Sequence, residues 1–320
     1  MEMKIFSGNS VKPMVQRVCD YRGMPLGQAL VGRFADGEVR VEIEENVRNC
    51  DVYIVGSTHT PYENVLELRM LAQAAFLGSA ARITLVVPYL GYNRQDVQNK
   101  PRTPITAQMI IQDLATSGAH GVVLFDLHSK ATLGGFLAYK VIPHHLYASH
   151  ASIDRIVEIL GDEPFVVAAT DAGGVGRAKG YAKLLRKRYG KVDMAIFDKQ
   201  RVEAGVVDED SIQIIGNVKD RNVLLVDDMF DTGGTGRADA KAAKKAGANQ
   251  VLMYTTHALC SNDAVSKLDD DLIDGVIVTD SVPHAPGSLG PKVEVVSLDK
   301  LIADVTWRLN TEASLSDLFF

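Results

Sequence analysis

The chain has 320 residues, 46% hydrophobic and 23% charged, which is a soft prior for two ordinary domains whose cores need no disulfide or metal staple. Its formal net charge of −6 argues against nonspecific nucleic-acid binding as the main task. Cys19, Cys50 and Cys260 are odd in number and lack zinc spacing, so reduced thiols in the cytoplasm are expected. Neither a leader-like N-terminus nor a membrane-length apolar run is found.

In chain order, apolar runs alternate with helical patterns. "DVYIVGST" precedes a helix through "ENVLELRMLAQAAFLGSA". "RITLVVPYLGY" precedes one through "ITAQMIIQDLATSGA", and "GVVLFDLHS" follows. After Pro164 the pattern restarts with "FVVAATDAGG", "GRAKGYAKLLRKRYG", "VDMAIFD", "NVLLVDD", "GTGRADAKAAKKAGA" and "QVLMYTTHA", and later "DGVIVTDS" and "KVEVVSL". Continuous apolar strands predict sheets covered on both faces, and strand–helix alternation predicts parallel order. The junctions "GSAARITLVV", "SGAHGVVLFD" and "AGANQVLMYT" look alike, with glycine suited to the left-handed position that ends a helix. The reading is an α/β protein of two similar domains in tandem, 1–147 and 148–300, joined around "HHLYASHASIDRI".

In such sheets ligands bind beyond the carboxyl ends of the strands. Val223 to Val226 reads as a strand, Asp227 and Asp228 as its carboxyl end, and Asp231-Thr232-Gly233-Gly234-Thr235 as the turn into a helix. Glycines let backbone N–H groups converge on an anion, and a helix N-terminus favours negative charge there. The turn is not a Walker A loop, because no lysine ends it. Two carboxylates beside a phosphate cradle suit vicinal hydroxyls close to a phosphate, as in ribose 5-phosphate. An N-capped helix is the bland alternative, but a cap needs one such residue, not three Asp and two Thr.

"VLLVDDMFDTGGT" resembles the phosphoribosyl-diphosphate signature of type I phosphoribosyltransferases and ribose-phosphate pyrophosphokinases. Four further stretches, in the family's order, choose the pyrophosphokinases. "RFADGEVRVEI" is similar to the adenine-contacting segment, which assigns Phe34, Asp36 and Glu38 to the nucleotide. "GYNRQD" is similar to the Y-[AS]-R-Q-D segment, with Asn93 in the small-residue position, and assigns it Arg94, Gln95 and Asp96. Arginine suits phosphate oxygens through its planar fork. "VVLFDLHS" and "ATDAGGVGRAK" match segments associated with magnesium, placing His128 near the metal-bound triphosphate and Asp171 near a second ion. "FDKQRVEAGVV" reads as a mobile loop without apolar periodicity, and the family places the catalytic K-x-R pair on it, here Lys199 and Arg201. Each stretch also has a bland reading as a surface loop or core histidine.

The resemblance covers essentially the whole chain and implies two tandem phosphoribosyltransferase-like domains, with the tail 301–320 packing on the first. It implies transfer of the β,γ-diphosphoryl group of ATP to ribose 5-phosphate, with Mg2+. It also implies a dimer-based homo-oligomer, up to a hexamer, that shares the adenine site between subunits. A regulatory site is implied near Arg48, Lys100, Arg102, Ser314 and Ser316. Two alternatives share the sugar-phosphate loop. A phosphoribosyltransferase is disfavoured by R-Q-D and K-x-R, and a noncatalytic regulatory paralogue by retention of Lys199, Arg201 and His128. "DLHSKATLGGF" departs from the family's D-L-H-[AS]-x-Q-I-Q-G-F-F. His144 replaces the usual Asp, and His144, His145 and His150 lack a zinc-ligand pattern.

Overall fold

The computed structural model describes residues 1–198, 201–203, 206–207, 212–268 and 271–318. Two compact units result. Unit 1 is Met1–Tyr147 with Ser281–Pro283 and 297–318, and unit 2 is Ala148–Asp280 with His284–Val296. Residues 281–283 and 297–300, which the sequence reading leaves with the second domain, therefore group with the first. One reason is local: the buried Ser57 hydroxyl donates to the Ser281 carbonyl at 2.5 Å.

Unit 1 contains β1 (Met3–Ser7), α1 (Lys12–Arg22), β2 (Ala29–Arg33), β3 (Val39–Ile43), β4 (Asp51–Val55), α2 (Glu63–Leu77) and β5 (Arg82–Val87). It continues with α3 (Thr106–Ala115), β6 (Gly121–Phe125), α4 (Leu133–Leu137) and β7 (Ile142–Leu146). Its sheet has the order β1-β4-β5-β6-β7, and every pairing is parallel. β4 and β6 are buried at all five positions, as strands sandwiched by helices must be. α3 buries Ala107, Ile110, Ile111 and Leu114, the i, i+3, i+4, i+7 stripe of a helix lying on such a core. β2 and β3 form a separate antiparallel hairpin.

Unit 2 contains α5 (Ser149–Leu160), β8 (Phe165–Ala169), α6 (Val175–Tyr189), β9 (Asp193–Asp198), β10 (Arg201–Glu203), β11 (Val206–Val207), β12 (Gln213–Ile215) and β13 (Asn222–Phe230). After these come α7 (Gly234–Lys245), β14 (Val251–Ala258), β15 (Gly275–Thr279) and β16 (Val293–Val296). The sheet order is β12-β9-β8-β13-β14-β15-β16. Only the edge strand β12 runs antiparallel. Within the segment read as a mobile loop after β9, β10 and β11 pair antiparallel through Arg201–Val207 and Glu203–Val206. Valines at 202, 206 and 207 suit a short ladder even without a longer period.

The glycine reading of the helix ends also needs one correction. Gly118 and Gly247 are left-handed (φ 97° and 90°), but at the first junction Ser79 takes that conformation (φ 63°) while Gly78 does not. Gly78 is required by space instead, since a Cβ there would lie 2.6 Å from Val47.

The chain closes with α8 (Asp299–Asn310), which packs on α1 in unit 1. Its C-terminal end meets a buried carboxylate. Asp51 is fully buried and accepts from both Arg82 and Tyr53, and from Asn310 at 2.9 Å. Burial alone would raise its pKa, but the hydrogen bonds from Arg82, Asn310 and Tyr53 outweigh that and hold it below the usual carboxylate range. Asp51→Ala is therefore expected to cost about 3–5 kcal/mol, because it strands a guanidinium among buried groups. The lowered pKa adds a sign. Asp51 stabilises the fold fully above about pH 4 and loses that contribution as pH falls toward its folded value. Urea unfolding of wild type and variant at pH 7 and pH 3 reads both effects, and equal stabilities at pH 7 would refute them.

No helix among the described residues is long and apolar enough to cross a membrane. Cys19 and Cys50 are buried free thiols, and Cys260 is a half-buried one.

Candidate active site

In unit 1, β5 and β6 are parallel neighbours, so the segments leaving them emerge at one carboxyl edge. This edge receives Arg94, Gln95 and Asp96 from the β5–α3 connection and His128 from the segment after β6. Arg94, Gln95 and His128 are exposed, and Asp96 is half-buried. The connection is held by its backbone. The Thr58 hydroxyl accepts from Gly91 N–H, Thr106 donates to the Tyr92 carbonyl at 2.8 Å, and Ala107 N–H donates to the Gln95 carbonyl. Gly91 has no alternative, since a Cβ would lie 2.2 Å from the Thr58 carbonyl oxygen. Asn93 is buried, whereas Arg94 beside it faces outward.

The segment carrying His128 is braced by residues the sequence reading did not use. Asp126 leaves the strand with φ 39°. Leu127 N–H donates to His145 Nε2 at 3.1 Å, so that nitrogen is an unprotonated acceptor. His145 packs edge-on against Tyr147, whose hydroxyl bonds Lys130. Sequence discounted His145 as a metal ligand and offered no other role for it. Only the β6–β7 pairing, Leu124 opposite His145, brings it beneath this loop.

Phe34, Asp36 and Glu38 are not delivered to that sheet edge by the strands. They sit at the tip of the β2–β3 hairpin, where Phe34 N–H donates to the Glu38 carbonyl, and Glu38 N–H donates to the Asp36 side chain. All three are exposed, and Phe34 lies 5.6 Å from the Arg40 guanidinium. Of the proposed regulatory residues, all in unit 1, Arg48, Lys100, Arg102, Ser314 and Ser316 are exposed, and Ser314 donates to Ser316 at 2.9 Å.

In unit 2 the parallel neighbours β8 and β13 present the second group. Asp227 and Asp228 lie within β13 rather than just after it. Pairing with β14 carries the strand on to Phe230, whereas β8 stops at Ala169 opposite Val226. On the side that β8 leaves open, Thr170 donates to Asp227 Oδ2 at 2.7 Å, and Asp228 N–H donates to Asp227 Oδ1 at 2.8 Å. The Arg177 Nη1 atom lies 3.6 Å from Asp227 Oδ1 and 3.8 Å from Asp228 Oδ1. Burial and the neighbouring Asp228 push the Asp227 carboxyl up to about 7, against the opposing pull of Arg177 and Thr170. Sequence had shown this arginine only as part of a motif. Its reach from the first turn of α6 to both carboxylates is a tertiary fact.

The glycine turn follows. Gly233 caps α7 in the left-handed conformation (φ 74°) and gives no side-chain cap. The first-turn N–H groups of α7 are thus presented beside exposed Thr232, Gly234 and Thr235, an arrangement whose chemistry suits an anion. Asp231 holds the turn through its carbonyl, which accepts from Ser261 N–H, and Lys267 donates to the Thr232 carbonyl. Cys260 beside it is no nucleophile at neutral pH, since burial and then Asp231 push its thiol up to about 11.

Asp171 Oδ1 accepts from Gly174 N–H at 2.8 Å, anchoring the start of α6. The described residues hold no cluster of three or more His, Cys, Asp or Glu able to cage a metal. Magnesium bound mainly by phosphate oxygens and water needs no such cage, so single groups such as His128 and Asp171 fit it as accessory ligands. Of the proposed catalytic pair, Lys199 lies outside the described residues. Arg201 contributes only its backbone position in β10.

Comparison with known proteins follows these lines. A family profile described as the N-terminal domain of ribose phosphate pyrophosphokinase matches residues 3–118, and one described as the phosphoribosyl synthetase-associated domain matches residues 191–320. The ribose-phosphate pyrophosphokinase of Pasteurella multocida is 39% identical over 99% of both chains, and that of Haemophilus ducreyi is 40% identical with the same coverage. The crystal structure of phosphoribosylpyrophosphate synthetase from Mycobacterium smegmatis superposes with a TM-score of 0.87 at 29% identity, covering 98% of this chain and 100% of that one.

Proposed function

The chain belongs to the ribose-phosphate pyrophosphokinase family, and from that premise we infer that it transfers the β,γ-diphosphoryl group of ATP to the anomeric hydroxyl of ribose 5-phosphate. It is a transferase acting in nucleotide biosynthesis. The observation that carries the reading is the presence, in unit 2, of two carboxylates and a glycine-led helix N-terminus without a side-chain cap. A phosphorylated sugar offers the matching groups, hydroxyl donors for the acids and a phosphate for the N–H groups.

The anomeric oxygen attacks the β-phosphorus, the bond from that phosphorus to the α,β-bridging oxygen breaks, and AMP leaves. The hydroxyl proton is released. Little covalent work falls to the protein, so positioning and charge neutralisation dominate. Asp227, Asp228 and the Asp231–Thr235 turn hold the sugar phosphate. Arg94, Gln95 and Asp96, with Phe34, Asp36 and Glu38, hold the nucleotide. Lys199 and Arg201 stabilise the transferring group. His128 would help hold magnesium carried by the nucleotide, and Asp171 a second ion, and such ions would supply neutralisation of phosphate charge.

We also propose a cytoplasmic homo-oligomer. An exposed Phe34 at a hairpin tip suits a base site completed by a second copy. Arg48, Lys100, Arg102, Ser314 and Ser316 are proposed as an anion-responsive regulatory group.

AMP formation from ATP and magnesium, with and without ribose 5-phosphate, tests the activity. AMP that forms only with the sugar is the expected result, and its absence at every phosphate concentration would favour a noncatalytic paralogue. Gly91→Ala should lower kcat/KM for ATP on the order of 10²-fold by displacing Arg94 and Gln95. Unchanged ATP kinetics in that variant would remove these two residues from the nucleotide site.

A further inference from the structure

Arg177 stands at an unfavourable place for a cation. It lies in the first turn of α6, where the helix dipole repels positive charge, whereas Arg186, Lys187 and Arg188 occupy the last turn, where it attracts them. Its side chain is only 12% exposed. Such a position needs a specific counter-charge, and the structure supplies two. One nitrogen, Nη1, lies between Asp227 Oδ1 and Asp228 Oδ1, at 3.6 and 3.8 Å.

Through this one nitrogen the guanidinium places its charge beside both carboxylates at once. Setting two acids side by side against a shared cation is a poor arrangement if stability were its purpose. It is a good arrangement for holding two carboxylates ready for neutral hydroxyl donors. Thr170 and Asp228 N–H fix the orientation of Asp227 from the other directions.

Resting on the function proposed above, we propose that Arg177 is a positioning residue for the sugar. It holds Asp227 and Asp228 together as one two-carboxylate receptor for vicinal hydroxyls and does not touch the transferring diphosphoryl group.

The test is steady-state AMP formation by wild type, Arg177→Ala, Arg177→Lys and Arg177→Gln, varying each substrate against saturating levels of the other. In Arg177→Ala the KM for ribose 5-phosphate should rise about 10–100-fold, the scale of losing hydrogen bonds to well-placed charged acceptors. The KM for ATP, and kcat at saturating sugar, should stay within about threefold. Arg177→Lys should recover much of the loss, since it returns a cation beside both carboxylates. A fall in kcat with the sugar KM unchanged would overturn the inference by placing Arg177 on the transferring group. So would a rise in both KM values together, with Arg177→Lys no better than Arg177→Ala, which would mark a structural role. If Arg177→Ala does not fold, a folded Arg177→Gln with wild-type sugar KM overturns it equally. Wild type that forms no sugar-dependent AMP would remove the proposed function and this inference together, whereas an active wild type with an unaffected Arg177→Ala removes the inference alone.

Discussion

Replacing Lys199 or Arg201 by alanine is expected to lower kcat by roughly 10³-fold or more, the scale of a cation that stabilises phosphoryl-transfer charge in other systems. The KM values for ATP and ribose 5-phosphate should change little, because an interaction made mainly in the transition state is lost from kcat and kcat/KM together. The reason lies in the reaction. Charge grows on the oxygens around the β-phosphorus and on the departing AMP as the bond breaks, and a side-chain cation aimed there acts only then. Steady-state kinetics of both single variants checks this. Normal turnover in either would strike that residue from the catalytic role.

Asp227→Asn should weaken the enzyme's hold on ribose 5-phosphate and stabilise the unliganded protein at the same time. Two carboxylates at one buried strand end repel each other, and burial with Asp228 pushes Asp227 up to about 7. The unfolded chain releases that proton near pH 4. Between about pH 4 and 7 the folded state therefore binds the extra proton, and stability falls as pH rises until Asp227 ionises in the fold as well. Asparagine has no such proton to release. The stability of Asp227→Asn relative to wild type should thus increase from pH 5 to pH 8, by about one to a few kcal/mol. Over the same change the KM for ribose 5-phosphate should rise roughly 10–100-fold, as a charged acceptor is replaced by a neutral amide. Thermal unfolding at the two pH values, alongside sugar kinetics, separates the parts. A relative stability that does not move with pH would show that the pair is not strained, and an unchanged sugar KM would show that Asp227 is not a sugar ligand.

Much of the fold could be read from continuous apolar runs. "DVYIV", "GVVLF" and "FVVAA" have no alternation, and the structure buries every position of β4, β6 and β8 between helices. What could not be read depends on neighbours distant in sequence. Asp227 and Asp228 lie inside β13 only because β14 extends the ladder past the end of β8. At the first junction Ser79 takes the left-handed turn, while Gly78 answers to Val47, a residue far away in sequence. The β10–β11 ladder is too short for any periodicity to reveal.

The candidate site divides the same way. The glycine-led turn into α7 was legible because glycine and threonine chemistry is local, and Gly233 takes a positive φ there. Arg177 and His145 were not, because their importance comes from what tertiary structure sets beside them, a carboxylate pair for one and the Leu127 amide for the other. Phe34, Asp36 and Glu38 could be named from sequence, but their place on an exposed hairpin could not be separated in advance from an idle acidic loop.

The central claim is that an intact diphosphoryl group moves as one piece, and ATP labelled in its β-phosphoryl group tests it most directly. With ribose 5-phosphate and magnesium present, the label should leave the nucleotide and appear on the sugar, with unlabelled AMP formed in equal amount. Label retained in ADP while the sugar gains only the γ-phosphoryl group would contradict attack at the β-phosphorus, and with it the reaction assigned to this chain.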